Sequence, residues 1–328
     1  MKTFTRDYRI TGNYPAQFIS YFPGMKPCIL DIEATGLDPA KCKVCLAAFL
    51  IQTGSGVRVT QFLAENHYEE NKVLDAMMDF LSAEQIDYLI TFNGRAYDVP
   101  FINRRLELNY SEHRLSLFNF DLYRFLRKGT DLRDRVQSMS QMSLEDHYGI
   151  FSDRKDTITG RESVSLFNQY SLTGNSSVEK IILTHNREDV LQLHRLMYLT
   201  MDEPEDFDSA MALHGFPSPD GKLAIRPYIS RQSKMLKICG EQLSHSVSGA
   251  FFPTETNPLN IQFNGMSSSF EISMPVSCRG SDFFADTQDL DIDISDDPDY
   301  INGYLILNSR TINRISLLIT DRIRKELL

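Results

Sequence analysis

The sequence predicts an α/β fold for its first 200 residues, followed by a smaller β-rich C-terminal region ending in a helix. Three observations predict this. Residues 27–101 alternate short apolar runs with segments of helical spacing, as strands joined by helices do. The run Val44–Gln52 is apolar almost without a break, which suits a central strand covered on both faces. After residue 222 the helical spacing gives way to short β-type runs.

The elements follow in order. Cys28–Leu30 is a short apolar strand leading into Asp31-Ile32-Glu33 and a turn at Thr35–Pro39. Val44–Gln52 is the second strand, and Val57–Phe62 alternates as a third should. Val73, Leu74, Met77, Met78 and Leu81 have helical spacing within a helix predicted over 67–81. Tyr88–Phe92 reads as a fourth strand, ended by Asn93-Gly94. Pro100 then stands where a helix begins, because a first-turn proline sacrifices no hydrogen bond. Leu115–Phe120 reads as a fifth strand with a helix after it through Leu126. Helical spacing dominates from Ser143 to Thr200, in segments 144–148, 163–170 and 178–199. Residues 201–222 hold an acidic tract and then Gly215, Pro217, Pro219 and Gly221, the composition of a linker. Gly215…Gly221-Lys222 is no phosphate loop: the spacing is one residue too long, and Leu223 replaces the metal-binding hydroxyl. In the last region, 223–328, Asn264-Gly265 signals a hairpin turn and Phe270, Ile272, Met274 and Val276 alternate. Ile312, Ile315, Ile319 and Ile323 mark a final amphipathic helix.

Composition narrows the function classes. The 328 residues are 42% hydrophobic and 11% aromatic, too apolar for a disordered chain. No apolar stretch reaches the length of a membrane span, and Met1–Arg9 is polar, so a cytoplasmic protein is expected. The five cysteines, Cys28, Cys42, Cys45, Cys239 and Cys278, are odd in number and scattered, which speaks against a disulfide framework. Cys42 and Cys45 form a C-x-x-C with no second pair to complete a zinc site, and read as two strand thiols. The formal net charge is −10, but residues 1–200 contribute −2 and residues 201–328 contribute −8. Much of the excess sits between Asp202 and Asp208 and in the Asp-rich tract 282–299. Asp291-x-Asp293-x-Ser295 opens like a calcium loop, but Asp296 replaces the required glycine and Asn302 the closing glutamate, so a solvated loop is expected.

Three small constellations carry chemistry. Asp31 and Glu33 are two apart on a strand, so both point to one face, where unpaired neighbouring carboxylates repel and a divalent cation compensates them. Read alone, such a pair is also common on solvated strand ends. Asp98 follows a strand and opens a helix, near the carboxyl edge where open α/β sheets place sites, though an N-cap reading serves equally. His185 and Asp189 are four apart and share a helix face, as local surface pairs also do. Glu188 points about 100° away from Asp189 and is expected to be exposed. Asp121 reads as a supporting acid or a helix cap, and Glu145 and His147 as structural.

In this order and context the three constellations resemble the DEDD 3′-to-5′ exonucleases of the ribonuclease-H-like superfamily. Asp31-Ile32-Glu33-Ala34-Thr35-Gly36-Leu37 is similar to the first motif, Asn93 to Phe101 to the second, and His185 to Asp189 to the third. The nearest likeness is to a bacterial branch of RNase H-like exonuclease domains often called YprB-like. There the third motif reads aromatic-Asn-x-x-Asp. Leu144-Glu145…Gly149-Ile150 and Gly160-Arg161-Glu162 are also similar to that branch. The resemblance covers about residues 25–200. It departs at the third motif, where the His of one subclass stands at the Tyr spacing of the other.

The resemblance implies a ribonuclease H-like mixed sheet flanked by helices over 1–200. It implies two divalent cations, Mg²⁺ or Mn²⁺, held by Asp31, Glu33, Asp98 and Asp189; His185, where the pattern departs, would orient the attacking water, the favoured role, ligate the metal through Nε2, or pack. A reference pKa near 6.5 would poise that imidazole to take a proton at neutral pH. Asn93 and Tyr97 become candidates for the strand path, and Arg95, Arg104 and Arg105 for substrate phosphates. The partner is nucleic acid, DNA or RNA, with no membrane and with the C-terminal region open to a protein partner. The expected function is a two-metal nuclease, most simply a 3′-5′ exonuclease. The alternatives are a structure-specific endonuclease or a non-cleaving binding module on the same fold.

Overall fold

A computed structural model describes the chain apart from Thr11, Asn13, Thr157, His245, Thr256, Asp291 and Leu328, and apart from the side chains of Asp289, Arg324, Glu326 and Leu327. Two compact units form. The first comprises Met1–Ile19, Gly24–Arg127 and Asp131–Glu203, and the second Ser20–Pro23, Lys128–Thr130 and Pro204–Leu328.

The first unit is built on a six-stranded sheet. Its strands are β1 Lys2–Tyr8, β2 Pro27–Ala34, β3 Val44–Thr53, β4 Gly56–Leu63, β5 Tyr88–Thr91 and β6 Phe118–Asp121, in the order β1-β4-β3-β2-β5-β6. The pairings from β1 through β4 and β3 to β2 are antiparallel, and those from β2 through β5 to β6 are parallel. The sheet is therefore mixed, as expected. Parallel joins need crossovers, and the helices α2 Glu70–Ala83 and α3 Asp98–Leu108 lie on them, after a short α1 Ala16–Ile19 earlier in the chain. Beyond β6 come α4 Leu122–Gly129, α5 Leu132–Arg135, α6 Gln141–His147, α7 Gly160–Thr173 and α8 Ser176–Leu199.

The unbroken apolar run becomes β3, buried from Val44 to Ile51. On one face Phe80 of α2 packs against Phe49 and Phe62. Gln61 is one residue from Phe62 and so faces the other way, where it meets α8 at the Leu183 carbonyl and Asn186. Two boundaries differ from the sequence reading. β2 runs on through both acids to Ala34, with a bulge at Glu33/Ala34. β1 is an edge strand that the polar start of the chain conceals, because Thr3, Thr5, Arg6 and Asp7 are exposed. Cys45 lies in β3, whereas Cys42 sits in the turn before it.

In the second unit, α9 Phe207–His214 occupies the segment read as a linker. Phe207, Ala210, Met211 and His214 are buried, and the Asp206 side chain caps the helix at the Ser209 amide, 3.0 Å away. Helical spacing of four residues among acids and prolines was too short to stand out. One sheet runs β10-β11-β12-β9-β8-β7, formed by β7 Phe216–Pro217, β8 Leu223–Ser230, β9 Met235–Gln242, β10 Gly249–Phe251, β11 Asn260–Asn264 and β12 Ser269–Pro275. A second runs β13-β14-β16-β15, formed by β13 Ser277–Arg279, β14 Asp282–Asp286, β15 Tyr300–Ile301 and β16 Tyr304–Ile306. The unit ends in α10 Ser309–Leu327, with Ile315, Ile319 and Ile323 buried. The Asp-rich tract is not wholly solvated. Asp297 is buried, with carboxylate oxygens 2.7 Å from both Arg310 and Arg314. Asp291, the first position of the calcium-loop pattern, lies outside the described residues.

Candidate metal centre

β2 carries Asp31 and Glu33 two residues apart, on the strand where pairing changes from antiparallel to parallel. Strand alternation sends both carboxyls to one face, and α8 reaches that face with Asn186. Its amide donates to Asp31 Oδ2 at 2.8 Å and accepts from Gln61 Nε2 at 2.9 Å. Asp98 is the first residue of α3 and is buried; its carboxylate accepts the Ile32 amide at 3.2 Å, which ties the third acid to the strand of the first two. The turn that presents it is tightly fixed. Asp121 at the end of β6 accepts the amides of Asn93 at 2.9 Å, Arg95 at 3.1 Å and Arg124 at 3.2 Å. At Gly94 any Cβ would stand 2.5 Å from the Thr91 side chain, so the turn requires glycine.

α8 completes the cluster. His185 Nε2 lies 3.4 Å from Glu33 Oε1 and 3.6 Å from Asp189 Oδ2, while Nδ1 lies 2.7 Å from Asp156 Oδ2. Arg154, 1% exposed at its side chain, bonds Glu145 at 2.9 Å and lies 3.1 Å from Asp156. Its other nitrogen bonds Asp189.

The electrostatics follow from burial and crowding. Burial, with Asp189, Asp98 and Glu33 adding to it, holds the Asp31 carboxyl well above its ordinary range. Burial lifts Glu33 to about 7, against the pull of His185. It lifts Asp98 to about 7 as well, opposed by the Ile32 amide. Burial alone would lower His185, but Asp156, Asp189 and Glu33 outweigh it and raise the ring to about 9. The acids around the ring thus favour its protonated form.

Do these residues fit a metal? Glu33, His185 and Asp189 offer ligand atoms all within 4.8 Å of one another. Asp31, Glu33 and Asp98 have no Lys or Arg ion pair among the described residues. A buried set of hard oxygen donors, pushed toward neutrality by one another, is short of positive charge, and a Mg²⁺-like or Mn²⁺-like cation fits it.

The flanking candidates fare differently. Tyr97 packs on Phe101 and donates to the Gly36 carbonyl at 3.3 Å, near the acids. Asn93 is exposed in the turn at φ 62°. Arg95 is half-buried in the same turn. Arg104 is exposed and bonds Glu107 at 2.7 Å. Arg105 is not available for phosphate: it is buried, and Glu70 takes its guanidinium at 2.8 and 2.6 Å. Glu188 is buried rather than exposed, because α8 is covered on more than one face. Glu145 is structural as expected, and it anchors Arg154.

A family description of the RNase H superfamily matches residues 28–201, more than half of the chain and the whole stretch from β2 through α8. The chain belongs to the RNase H superfamily. Among solved structures, this RNase H chain is similar to the family B DNA polymerase from the hyperthermophilic archaeon Pyrobaculum calidifontis. The TM-score is 0.42 at 16% identity, over 58% of this chain and 28% of the polymerase. No curated protein matches. Membership in the RNase H superfamily supports a nuclease hydrolase acting on nucleic acid, and such nucleases typically use divalent metal ions. No helix among the described residues is long and apolar enough to cross a membrane.

Two members of this RNase H site escaped sequence reasoning. Arg154 and Asp156 lie in the aperiodic stretch between α6 and α7, where no spacing rule applies. Asn186 was visible only as part of the third motif.

Proposed function

We propose that this chain is a metal-dependent nuclease of the DEDD type, closest to the YprB-like branch, that removes nucleotides from the 3′ end of DNA or RNA. The observation that carries the reading is the convergence of Asp31, Glu33, Asp98 and Asp189 from three separate segments. Three of these carboxyls are raised and without a Lys or Arg partner among the described residues. These four residues would hold two divalent cations. Bound ions supply the positive charge that offsets the growing negative charge of the phosphoryl transition state.

The protein groups do the positioning. Asn186 fixes the Asp31 carboxylate, and the Ile32 amide fixes Asp98. Asp156 fixes the His185 ring through Nδ1, so Nε2 faces the acids and orients the attacking water. Tyr97, Asn93 and Arg95 flank the acids at the start of α3 and meet the strand end.

End-labelled single- and double-stranded DNA and RNA, incubated with Mg²⁺ or Mn²⁺, test this. Progressive release of mononucleotides from the 3′ end is expected. Asp31→Ala should lower the rate by on the order of 10²–10³-fold or more, the scale of losing one charge-stabilising group. Mn²⁺ should also raise the melting temperature of the wild type but not of Asp98→Ala. Internal cuts would make the protein an endonuclease. Binding without turnover on every substrate would make it a non-cleaving module.

A further inference from the structure

Beside the acid cluster lies a cavity of 810 Å³ with the opposite charge. One wall is the edge strand β1 and the other is α8. Alternation along β1 puts Phe4, Arg6 and Tyr8 on one side, opposite Gln61, Val59 and Val57 of β4. α8 contributes Lys180 and Arg187, and the loop bearing Arg154 and Asp156 contributes Lys155. Arg6, Lys155 and Lys180 are exposed and without an acidic partner among the described residues. Arg187 is 14% exposed beside Glu188, with its Nε lacking a hydrogen bond. The Tyr8 hydroxyl is buried and likewise unbonded. Glu179 does not cancel this charge, because Lys2 and the Tyr170 hydroxyl occupy its carboxylate.

The groove adjoins the elements that carry the acids, since Thr184 and Arg187 on its α8 wall flank His185 in the chain. Gln61 on its floor bonds Asn186, which bonds Asp31. Lys155 sits in the chain between the two residues that grip Asp189 and His185.

We propose that this groove seats the backbone of single-stranded nucleic acid leading to the acid cluster. Arg6, Lys155, Lys180 and Arg187 meet phosphates, and Phe4 and Tyr8 offer faces to bases. Cations beside aromatic side chains, three of them without an acidic partner, match the two alternating chemistries of a single strand, a polyanion carrying flat apolar rings. This rests on the nuclease reading of the neighbouring acids. It also assigns the phosphate contacts that buried Arg105 cannot make.

The test is fluorescence polarisation of a labelled single-stranded oligonucleotide in EDTA, so that cutting plays no part. The proteins compared are wild type, Arg6→Glu/Lys180→Glu, and Lys72→Glu/Arg114→Glu, which alters charge equally at exposed positions outside the groove. The groove pair should weaken binding at least ~10-fold and reduce the salt slope by about 1.4, roughly 0.7 per lost phosphate contact. The other pair should stay within about twofold, the size of a general charge effect screened at working salt. A milder Arg6→Gln/Lys180→Gln pair should move both readings the same way, and it decides the matter if the charge reversal unfolds the protein. Equal losses in both pairs, no loss in the groove pair, or displacement by polyglutamate of matched charge would each overturn the proposal. Intact groove-dependent binding without cleavage would overturn only the nuclease reading. Cleavage with groove variants that bind like wild type would overturn only this one.

Discussion

Arg154 holds together three acidic residues, Glu145, Asp156 and Asp189, while itself almost wholly buried. Removing one partner of such a set leaves buried charges uncompensated. Arg154→Met should therefore destabilise the protein by ~3–5 kcal/mol in urea unfolding, and Arg154→Lys should recover little, because an ammonium lacks the guanidinium fork. His194 shows the opposite design. Its Nδ1 lies 3.2 Å from the Tyr14 hydroxyl and its Nε2 2.8 Å from the Tyr198 hydroxyl, which itself donates to the Gly12 carbonyl. Nε2 is thus the donor and Nδ1 the acceptor, an arrangement only the neutral ring can make. Burial holds the ring down to about 4. An unfolded chain titrates near 6.5, so between these values it binds more protons than the folded one. The contribution of His194 is complete above pH 6.5 and disappears as pH falls toward 4, up to roughly 3 kcal/mol. Urea unfolding at pH 7 and pH 4.5 should show this pH dependence reduced in His194→Gln. Asp31 with Glu33, and His185 with Asp189, could be paired from the sequence because period-2 and i,i+4 rules act locally, whereas Asp98 joined them only through the family resemblance. Arg154 and Asp156 were not legible, since their partners lie across the fold: Asp189 is 35 residues from Arg154.

Elements were legible where one face is buried. β3, β5, α2 and α8 appear within a few residues of their expected bounds, because continuous burial or helical spacing writes itself into the sequence. β1 was hidden because an edge strand needs only one partner and keeps charged residues at the rim. The same economy makes the turn before α3 fragile. Gly94→Ala forces a Cβ against Thr91 in the turn that aims Asp98. A loss of ~1–3 kcal/mol is expected from overpacking, read as a lower melting temperature together with weaker Mn²⁺ stabilisation. The helix start at α7 offers a milder comparison. Thr159 and Glu162 form a reciprocal capping box, and Thr159→Ala should cost about 1 kcal/mol with no change in metal binding.

At the scale of the whole molecule, the charge of −10 does not argue against nucleic acid. Residues 1–200 carry little of it, and four of their acids are the proposed ligands. Part of the C-terminal acidity is internal. Asp297 is held well below the usual carboxylate range, chiefly by its bond to Arg310 with Arg314 helping. Its contribution is present above the ordinary carboxyl pKa and is lost as pH falls below it. Asp297→Asn should lower stability by roughly 1–3 kcal/mol at pH 7, because both arginines are partly exposed, and the difference from wild type should shrink in acid melts.

The second unit also draws on distant parts of the sequence. Tyr21 donates to Asp208 at 2.6 Å and accepts from Asn313 at 2.7 Å, a bond that spans 292 positions. On the ribosome, that hydroxyl meets Asn313 only after the 292 positions that separate them have been made. The segments that build the nuclease-like sheet and α8 are already outside by then. Synthesis thus imposes a schedule: the first unit's sheet and α8 are able to mature during elongation, whereas the second unit waits for α10.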